Sequence, residues 1–329
     1  GCVAALARAA AIGGPVPASG AFVRAGGLLG SLPYQVLCAA NVSPRFGQVG
    51  TNTQRLREDK LSGTAKLAWR LSPQTLAYAS YARGYKAGGF NLDRVATAAQ
   101  IAPGRATDPV LDTRFAPETV DSYELGLKNT LLHRRLLLNV TGFHQTYHDF
   151  QLNSFNGVVF SVTSVPKVVS RGVDADVLWF TPVEGLTLGG GVTYAETTYP
   201  RDMPPSLGPN LPGARLSLAP LWSESASATY ERKLTEGLSG RLTVNAKRVS
   251  GFNTGSDLDP AKTQGGFTLV NARLGVGPAD KRWALEAWAE NLFDKTYEQV
   301  AFSALLQPGS YDAFLGAPRT YGLTLRFSY

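Results

Sequence analysis

Within the last eleven residues, Arg319 to Tyr329, the side chains of Tyr321, Leu323, Leu325, Phe327 and Tyr329 fall on one face of a strand, and Gly322, Thr324, Arg326 and Ser328 on the other. The apolar face must be covered, either by a protein core or by lipid. A strand that crosses a bilayer needs about 9 to 11 tilted residues, apolar outward and polar inward, with aromatics near the interfaces. This stretch meets those requirements. The last strand of a soluble β-sandwich also alternates, so the rest of the chain decides between the two.

Hydrophobic residues make up 44% of the 329 residues and the mean hydropathy is -0.07. No run approaches the roughly 18 consecutive apolar residues of a membrane helix, which excludes a helical membrane protein. A barrel stays open, because its lipid-facing residues are diluted at every second position. The 35 Gly, 13 Tyr and 15 Phe against a single Met suit many regularly spaced strands and turns. The formal charge is +7. Lys and Arg are scattered with no run of five or six like charges, which fits a solvated or lumenal surface and no nucleic-acid partner. Cys2 and Cys38 are the only cysteines and match no metal spacing. Residues 1–54, rich in Ala, Gly and Leu with Pro15, Pro17 and Pro33, read as an irregular or loop segment. Their first seventeen residues faintly resemble a signal peptide, a likeness that Arg8 interrupts.

From residue 61 the alternation is regular, and strands fit at about 61–71, 74–84, 122–128, 134–152, 159–180, 185–198, 219–232, 237–250, 265–277, 281–291 and 319–329, eleven in all. In the fifth, Val173, Ala175, Val177 and Trp179 face one way and Gly172, Asp174 and Asp176 the other. Two aspartates aimed into a dry core would be expensive, whereas in a watery lumen they cost little. The links at 71–73, 130–133, 181–184, 233–236 and 278–280 are short, and those at 85–117, 199–218, 251–264 and 292–318 are long. Short and long alternate, with only 153–158 out of pattern. An up-and-down barrel of the bacterial outer membrane has short periplasmic turns and long outer loops. A soluble sandwich has no reason to keep that asymmetry. Trp69, Tyr78, Trp179, Tyr194, Tyr230, Trp283 and Tyr329 lie near strand ends, where interfacial girdles belong.

Six segments then resemble, in order, the C-terminal barrel half of TonB-dependent outer-membrane receptors. They are Tyr81-Ala-Arg-Gly-Tyr-Lys-Ala-Gly-Gly-Phe-Asn91, Phe115-Ala-Pro-Glu-Thr-Val-Asp-Ser-Tyr-Glu-Leu-Gly-Leu-Lys128, Ser170-Arg-Gly-Val-Asp-Ala-Asp-Val177, Val270-Asn-Ala-Arg-Leu-Gly275, Ala289-Glu-Asn-Leu-Phe-Asp-Lys-Thr-Tyr297 and Gly316-Ala-Pro-Arg-Thr-Tyr-Gly322. The likeness covers residues 55–329. It implies an all-β, antiparallel up-and-down transmembrane β-barrel, with these eleven strands as part of a larger plugged barrel of about twenty-two. It further implies the bacterial outer membrane as location and import of a scarce nutrient, such as a ferric siderophore, cobalamin, haem or a glycan. Its partners would be the TonB energy-coupling complex, the barrel assembly machinery and outer-membrane lipid. The sequence shows no recognisable plug and no box for the TonB partner. Eleven strands cannot close as the full barrel does, and an unpaired edge in lipid costs several kcal/mol per backbone group. The expectation is therefore a fragment or a truncated product.

For ligand capture the resemblance points to the outer loops. Lys86, Arg94, Arg105 and Arg114 lie in or beside the first long loop and Arg201 in the second, a cationic set suited to an anionic ferric siderophore. The competing reading is solvated loop charge, balanced by Asp93, Asp108 and Asp112. Leu325, Phe327 and Tyr329 resemble the insertion signal of outer-membrane barrels. No catalytic constellation is present, so the chain reads as no enzyme and calls for no cofactor. His144 and His148 have a helical ligand spacing, but on a strand they sit about 13 Å apart, too far for one metal. Ser164-Val-Pro-Lys167 has the Ser-x-x-Lys spacing of penicillin-recognising enzymes without the helix those need. Asp174 with Asp176, and Glu286 with Glu290, read as barrel lining, and Asp257 with Asp259 fall short of the six to eight oxygens of a calcium site. A passive porin shares the strand pattern and is the second reading.

Overall fold

The computed structural model describes residues 54–91, 113–155, 160–280, 282–304, 307 and 309–328. Their strands are β1 (Gly63–Ser72), β2 (Thr75–Lys86), β3 (Gly89–Phe90), β4 (Arg114–Phe115), β5 (Glu118–Leu131), β6 (Leu136–Phe155), β7 (Phe160–Phe180), β8 (Leu186–Thr198), β9 (Trp222–Thr235), β10 (Leu238–Val249), β11 (Phe252–Asn253), β12 (Thr263–Gln264), β13 (Phe267–Gly277), β14 (Trp283–Glu290), β15 (Glu298–Ser303), β16 (Tyr311–Leu315) and β17 (Thr320–Phe327). Eleven of them form one sheet in the order β1-β2-β5-β6-β7-β8-β9-β10-β13-β14-β17, and the other six make three two-stranded ribbons within the long connections. The eleven strands read from sequence are these eleven, moved by a few residues at their ends. Each pairs antiparallel with its neighbour in the order.

Register settles which residues share a face. Leu67 sits beside Ala79, Ala79 beside Leu125, Leu125 beside Gly142 and Gly142 beside Val173. Farther along, Leu242, Leu274, Ala287 and Leu323 form the same kind of row. This outward face is open: Leu125 is 68% and Leu323 73% exposed. Such a surface needs lipid. The opposite face carries Asn139, Asp174, Asp176, Thr193, Arg273, Glu286 and Arg326, and it is the lumenal side. Tyr81, Tyr123, Tyr194, Trp222 and Tyr321 ring the outer end of the apolar band, with Tyr81 against Tyr123 at 5.1 Å and Tyr194 against Trp222 at 4.9 Å between ring centres. Trp69, Trp179, Tyr230, Trp283 and Phe327 ring the inner end.

Two expectations change. Tyr78 is no girdle residue. It lies three positions from Tyr81 and so on the other face, 8% exposed, with its hydroxyl 2.9 Å from Thr141 Oγ1 and Lys66 Nζ 4.3 Å over its ring. Gly126 stays bare beneath it, because a Cβ there would strike the Tyr78 ring. Tyr329 lies outside the described residues. The second change concerns the link at 153–158, which looked too short for an outer loop. Here β6 and β7 are 20 and 21 residues long, and the other strands of the sheet have 8 to 14. A membrane strand uses about 9 to 11. The excess projects from the outer end as a paired ribbon, so this outer loop is built from strand. Its ladder breaks once, where Pro166 has no N–H to give and Asp149 takes φ 52°.

These two faces predict opposite costs. Leu125→Arg, outward in the apolar band, should destabilise folding in lipid vesicles by about 2–4 kcal/mol, whereas Ser122→Arg on the lumenal face should cost under about 1 kcal/mol. Equal costs in denaturant titrations would contradict the assigned faces.

Candidate functional site: the outer vestibule

Every long connection leaves the same end of the sheet, and there the loops are tied to the β6–β7 ribbon. The stems of loop 87–117 are fastened first. The Asn91 amide donates to the Val162 carbonyl (3.0 Å) and accepts from the Val162 N–H (2.8 Å), completing an extra rung on β7. Gln151, 6% exposed, donates to the carbonyls of Ala87 (2.8 Å) and Ala116 (3.1 Å), and its own N–H donates to Glu118 Oε2 (2.8 Å). Ser164 Oγ accepts from the Ala116 N–H at 3.2 Å, so the serine of the Ser-x-x-Lys spacing is a strand residue with a structural partner.

The most buried apolar side chains among the described residues sit here rather than between sheet layers. Leu152, Val165 and Val168 of the ribbon pack against Tyr199, Met203 and Leu211 of the connection after β8, and Leu258 of the next connection joins them. The Tyr199 hydroxyl is buried without a hydrogen-bond partner among the described residues, and burial pushes its phenol up. Loops 250–266 and 291–319 are latched in turn. Lys262, its side chain 3% exposed, pairs with Asp257 (2.5 Å), and the Tyr311 hydroxyl donates to Asp259 Oδ2 (2.9 Å). The Glu298 N–H donates to Gln264 Oε1 at 2.7 Å. The acids weighed as a calcium loop are thus engaged by a lysine and a tyrosine, and no cluster of three metal-ligating side chains occurs among the described residues.

The cationic set read from sequence is only partly gathered. Lys86 ends β2 on the lumenal face, opposite Glu118. Arg114 stands in β4 opposite Phe90, on the other stem of the same loop. Arg201 is exposed in the turn after β8, its stem against Gly213, which has φ 71°. It lies on the far side of the β6–β7 ribbon from the other two. Arg94 and Arg105 lie outside the described residues, as do Asp93, Asp108 and Asp112. The lumenal carboxylates are held by their ladder neighbours. Asp174 accepts from Thr193 Oγ1 (2.5 Å) and Asp176 from the Asn139 amide (2.9 Å). Glu286 sits between Arg273 (3.0 Å) and Arg326 (3.4 Å). His144 and His148 are on the outward face above the girdle, with His148 3.7 Å from Asp121. Gln151, Asn91 and the Lys262–Asp257 pair were not foreseen from sequence, since each partner is set by tertiary neighbours.

The latch carries a pH signature. The Asp259 carboxyl is held below its usual value, first by the Ala261 N–H and then by Tyr311, and Tyr311 is raised mainly by the bond it donates to Asp259. The aspartate's contribution is complete above 3.8 and lost as pH falls through its lowered value, and the tyrosine's is complete below 10.0 and lost as pH rises through its raised value. Hydrogen-exchange protection over residues 257–264 and 311–315, measured relative to the intrinsic rate at each pH, should stay high between these limits and fall outside them. Tyr311→Phe should abolish the alkaline change and diminish the acid one, and protection factors that do not vary with pH in the unaltered protein would contradict the latch.

Comparison with known proteins bears on this geometry. A sequence model of the family described as TonB dependent receptor-like, beta-barrel matches residues 40–292. The pesticin receptor of Yersinia pestis is 24% identical over 287 residues, 86% of this chain and 38% of its own length. The ferric yersiniabactin uptake receptor of Yersinia pestis superposes with a TM-score of 0.64 at 22% identity, over 83% of this chain and 38% of that one. The ferric preacinetobactin receptor of Acinetobacter baumannii superposes with a TM-score of 0.56 at 22% identity, over 80% and 36%. The chain thus spans well under half of these relatives. The match extends from the start of the described sheet through β14, and it agrees with the strand order, the two faces and the asymmetric loops: the chain belongs to the β-barrel family of TonB-dependent receptors, proteins of the bacterial outer membrane that are receptors and transporters rather than enzymes.

Proposed function

We propose that this chain is the C-terminal half of a plugged barrel whose outer vestibule captures an iron-siderophore-type ligand for TonB-energised uptake. The observation that carries this reading is the vestibule itself. Among the described residues, the stems of the first long connection and the other three long connections are tied to one another and to one strand ribbon at the outer end, with Lys86 and Arg114 on one side of the ribbon and Arg201 on the other. Arg94 and Arg105 belong to the same proposed set by their place in the first long loop. Named relatives that carry ferric siderophores support the ligand class.

Strand parity supports the half-barrel reading. Both β1 and β17 run from the outer to the inner end, and each pairs on one side only among the described residues. Joining them directly would make a parallel seam. An odd number of further strands closes the sheet antiparallel throughout and gives an even total, the rule for bacterial outer-membrane barrels. The TonB complex would act on the plug, the assembly machinery on the C-terminal strand, and lipid on the outward face.

Two experiments test these roles in the receptor that contains this chain. Tryptophan-quenching titrations with a panel of ferric siderophores should find one bound below micromolar concentration, and replacing Lys86, Arg94, Arg105, Arg114 and Arg201 together by Ala should weaken it at least tenfold, about 1.4 kcal/mol. Binding of no ferric siderophore would exclude the ligand class, and steady single-channel conductance without ligand would favour a porin. Deleting Phe327 to Tyr329 should leave the protein out of the outer membrane. Normal heat-modifiable assembly of that deletion would remove Leu325, Phe327 and Tyr329 from the role of insertion signal.

A further inference from the structure

Charged side chains on the outward face are distributed unevenly. Toward the outer end three of the cations have acidic partners: Arg83 lies 3.6 Å from Asp121, Arg171 2.7 Å from Glu196 and Arg248 2.8 Å from Glu224. At the inner end the outward positions of the described strands are apolar or uncharged, with one exception, Arg232 of β9. Two residues past the girdle residue Tyr230, it stands opposite Gly240, which offers no side chain. No carboxylate pairs with it among the described residues. Beside it the outward face is hollow. Tyr230, Leu234, Leu242, Leu274, Leu285 and Leu323 line a groove of about 420 Å³ that Arg232 also borders. Its floor is low because Gly240 and Ala287 carry little or no side chain there.

From this geometry we infer that the groove holds one glycerophospholipid of the periplasmic leaflet, an acyl chain along the leucines and the headgroup phosphate on Arg232. The chemistry on both sides agrees. Girdle aromatics sit at headgroup depth, so a cation one rung beyond them meets the phosphate plane, where guanidinium bonds an oxyanion in bidentate fashion. An apolar hollow at hydrocarbon depth has no polar group to hold water, and an acyl chain fills it. A net-anionic headgroup is favoured over a zwitterionic one, because basic sites at the membrane surface attract anionic lipid and no ammonium acceptor stands beside Arg232. The groove lies on the face away from the lumen, so this inference rests on the membrane placement and is independent of the ligand reading.

The test is native mass spectrometry on the protein taken from outer membranes in mild detergent, stripped of lipid, and offered phosphatidylglycerol or phosphatidylcholine with the same acyl chains. One phosphatidylglycerol per chain should be retained at least fivefold over phosphatidylcholine. Arg232→Ala should erase the preference, Ala287→Phe should abolish retention of both, and Arg248→Ala, whose guanidinium is already paired, should change nothing. Equal retention of the two lipids by the unaltered protein, or an undiminished preference in Arg232→Ala, overturns the site while leaving the membrane placement intact. Recovery of the protein outside the membrane overturns both.

Discussion

In hydrocarbon a backbone N–H or C=O without a partner costs several kcal/mol, and no water is present to relieve it. The ladder of eleven antiparallel strands answers that requirement between β2 and β14, where each strand is paired on both sides. The order is that of the chain itself, so each pairing is a hairpin closed by a turn at the inner end or a longer loop at the outer end. The requirement also explains why β1 and β17 are the demanding places: each offers lipid a free row of backbone groups, and only strands from beyond this sheet can satisfy them with antiparallel geometry.

With the backbone accounted for, the two faces divide the remaining work. Outward, leucine, valine, alanine and glycine make a smooth band between aromatic girdles, and toward the outer end Arg83, Arg171 and Arg248 are matched by carboxylates. Inward, the polar groups are tied across the strands, as where Glu286 on β14 joins Arg273 on β13 and Arg326 on β17. Close packing within the sheet dictates some of the sequence directly. A Cβ at Gly172 would collide with the Tyr194 carbonyl, so the strand that carries Asp174 and Asp176 needs glycine where it crosses β8. Asn291 shows the same logic at a strand exit. It takes φ 49°, accepts the Lys295 N–H and donates to the carbonyls of Lys295 and Ala317, which fixes the departure of β14 against the entry to β17.

A single sheet with lipid on one side and a lumen on the other has no interior of its own. The conventional core therefore appears where the chain leaves the membrane, between the β6–β7 ribbon and the loops that fold onto it. That core and the Lys262, Tyr311 and Gln151 contacts make the vestibule a built structure instead of a fringe of loose connections. Arg114 and Lys86 gain their positions from it, since both flank stems that Gln151 and Asn91 pin to the ribbon.

The architecture was legible in the sequence because a strand facing lipid on one side and water on the other must alternate at period two, and every strand of the sheet obeys that pattern. The short and long links repeated the message, and the family motifs fell on strand ends and turns. What the sequence left open depends on partners far along the chain. Tyr78 and Tyr81 look alike in the sequence, and only register shows that one faces the lumen and the other the lipid. The link at 153–158 looked too short until β6 and β7 were seen to outrun the membrane. The cationic residues could be named but not gathered, because loop charge carries no periodicity and its position is set by what the loop packs against. Local alternation determined the sheet and its two faces. Tertiary packing alone decided the vestibule, the latch and the place of Arg232 beside its groove.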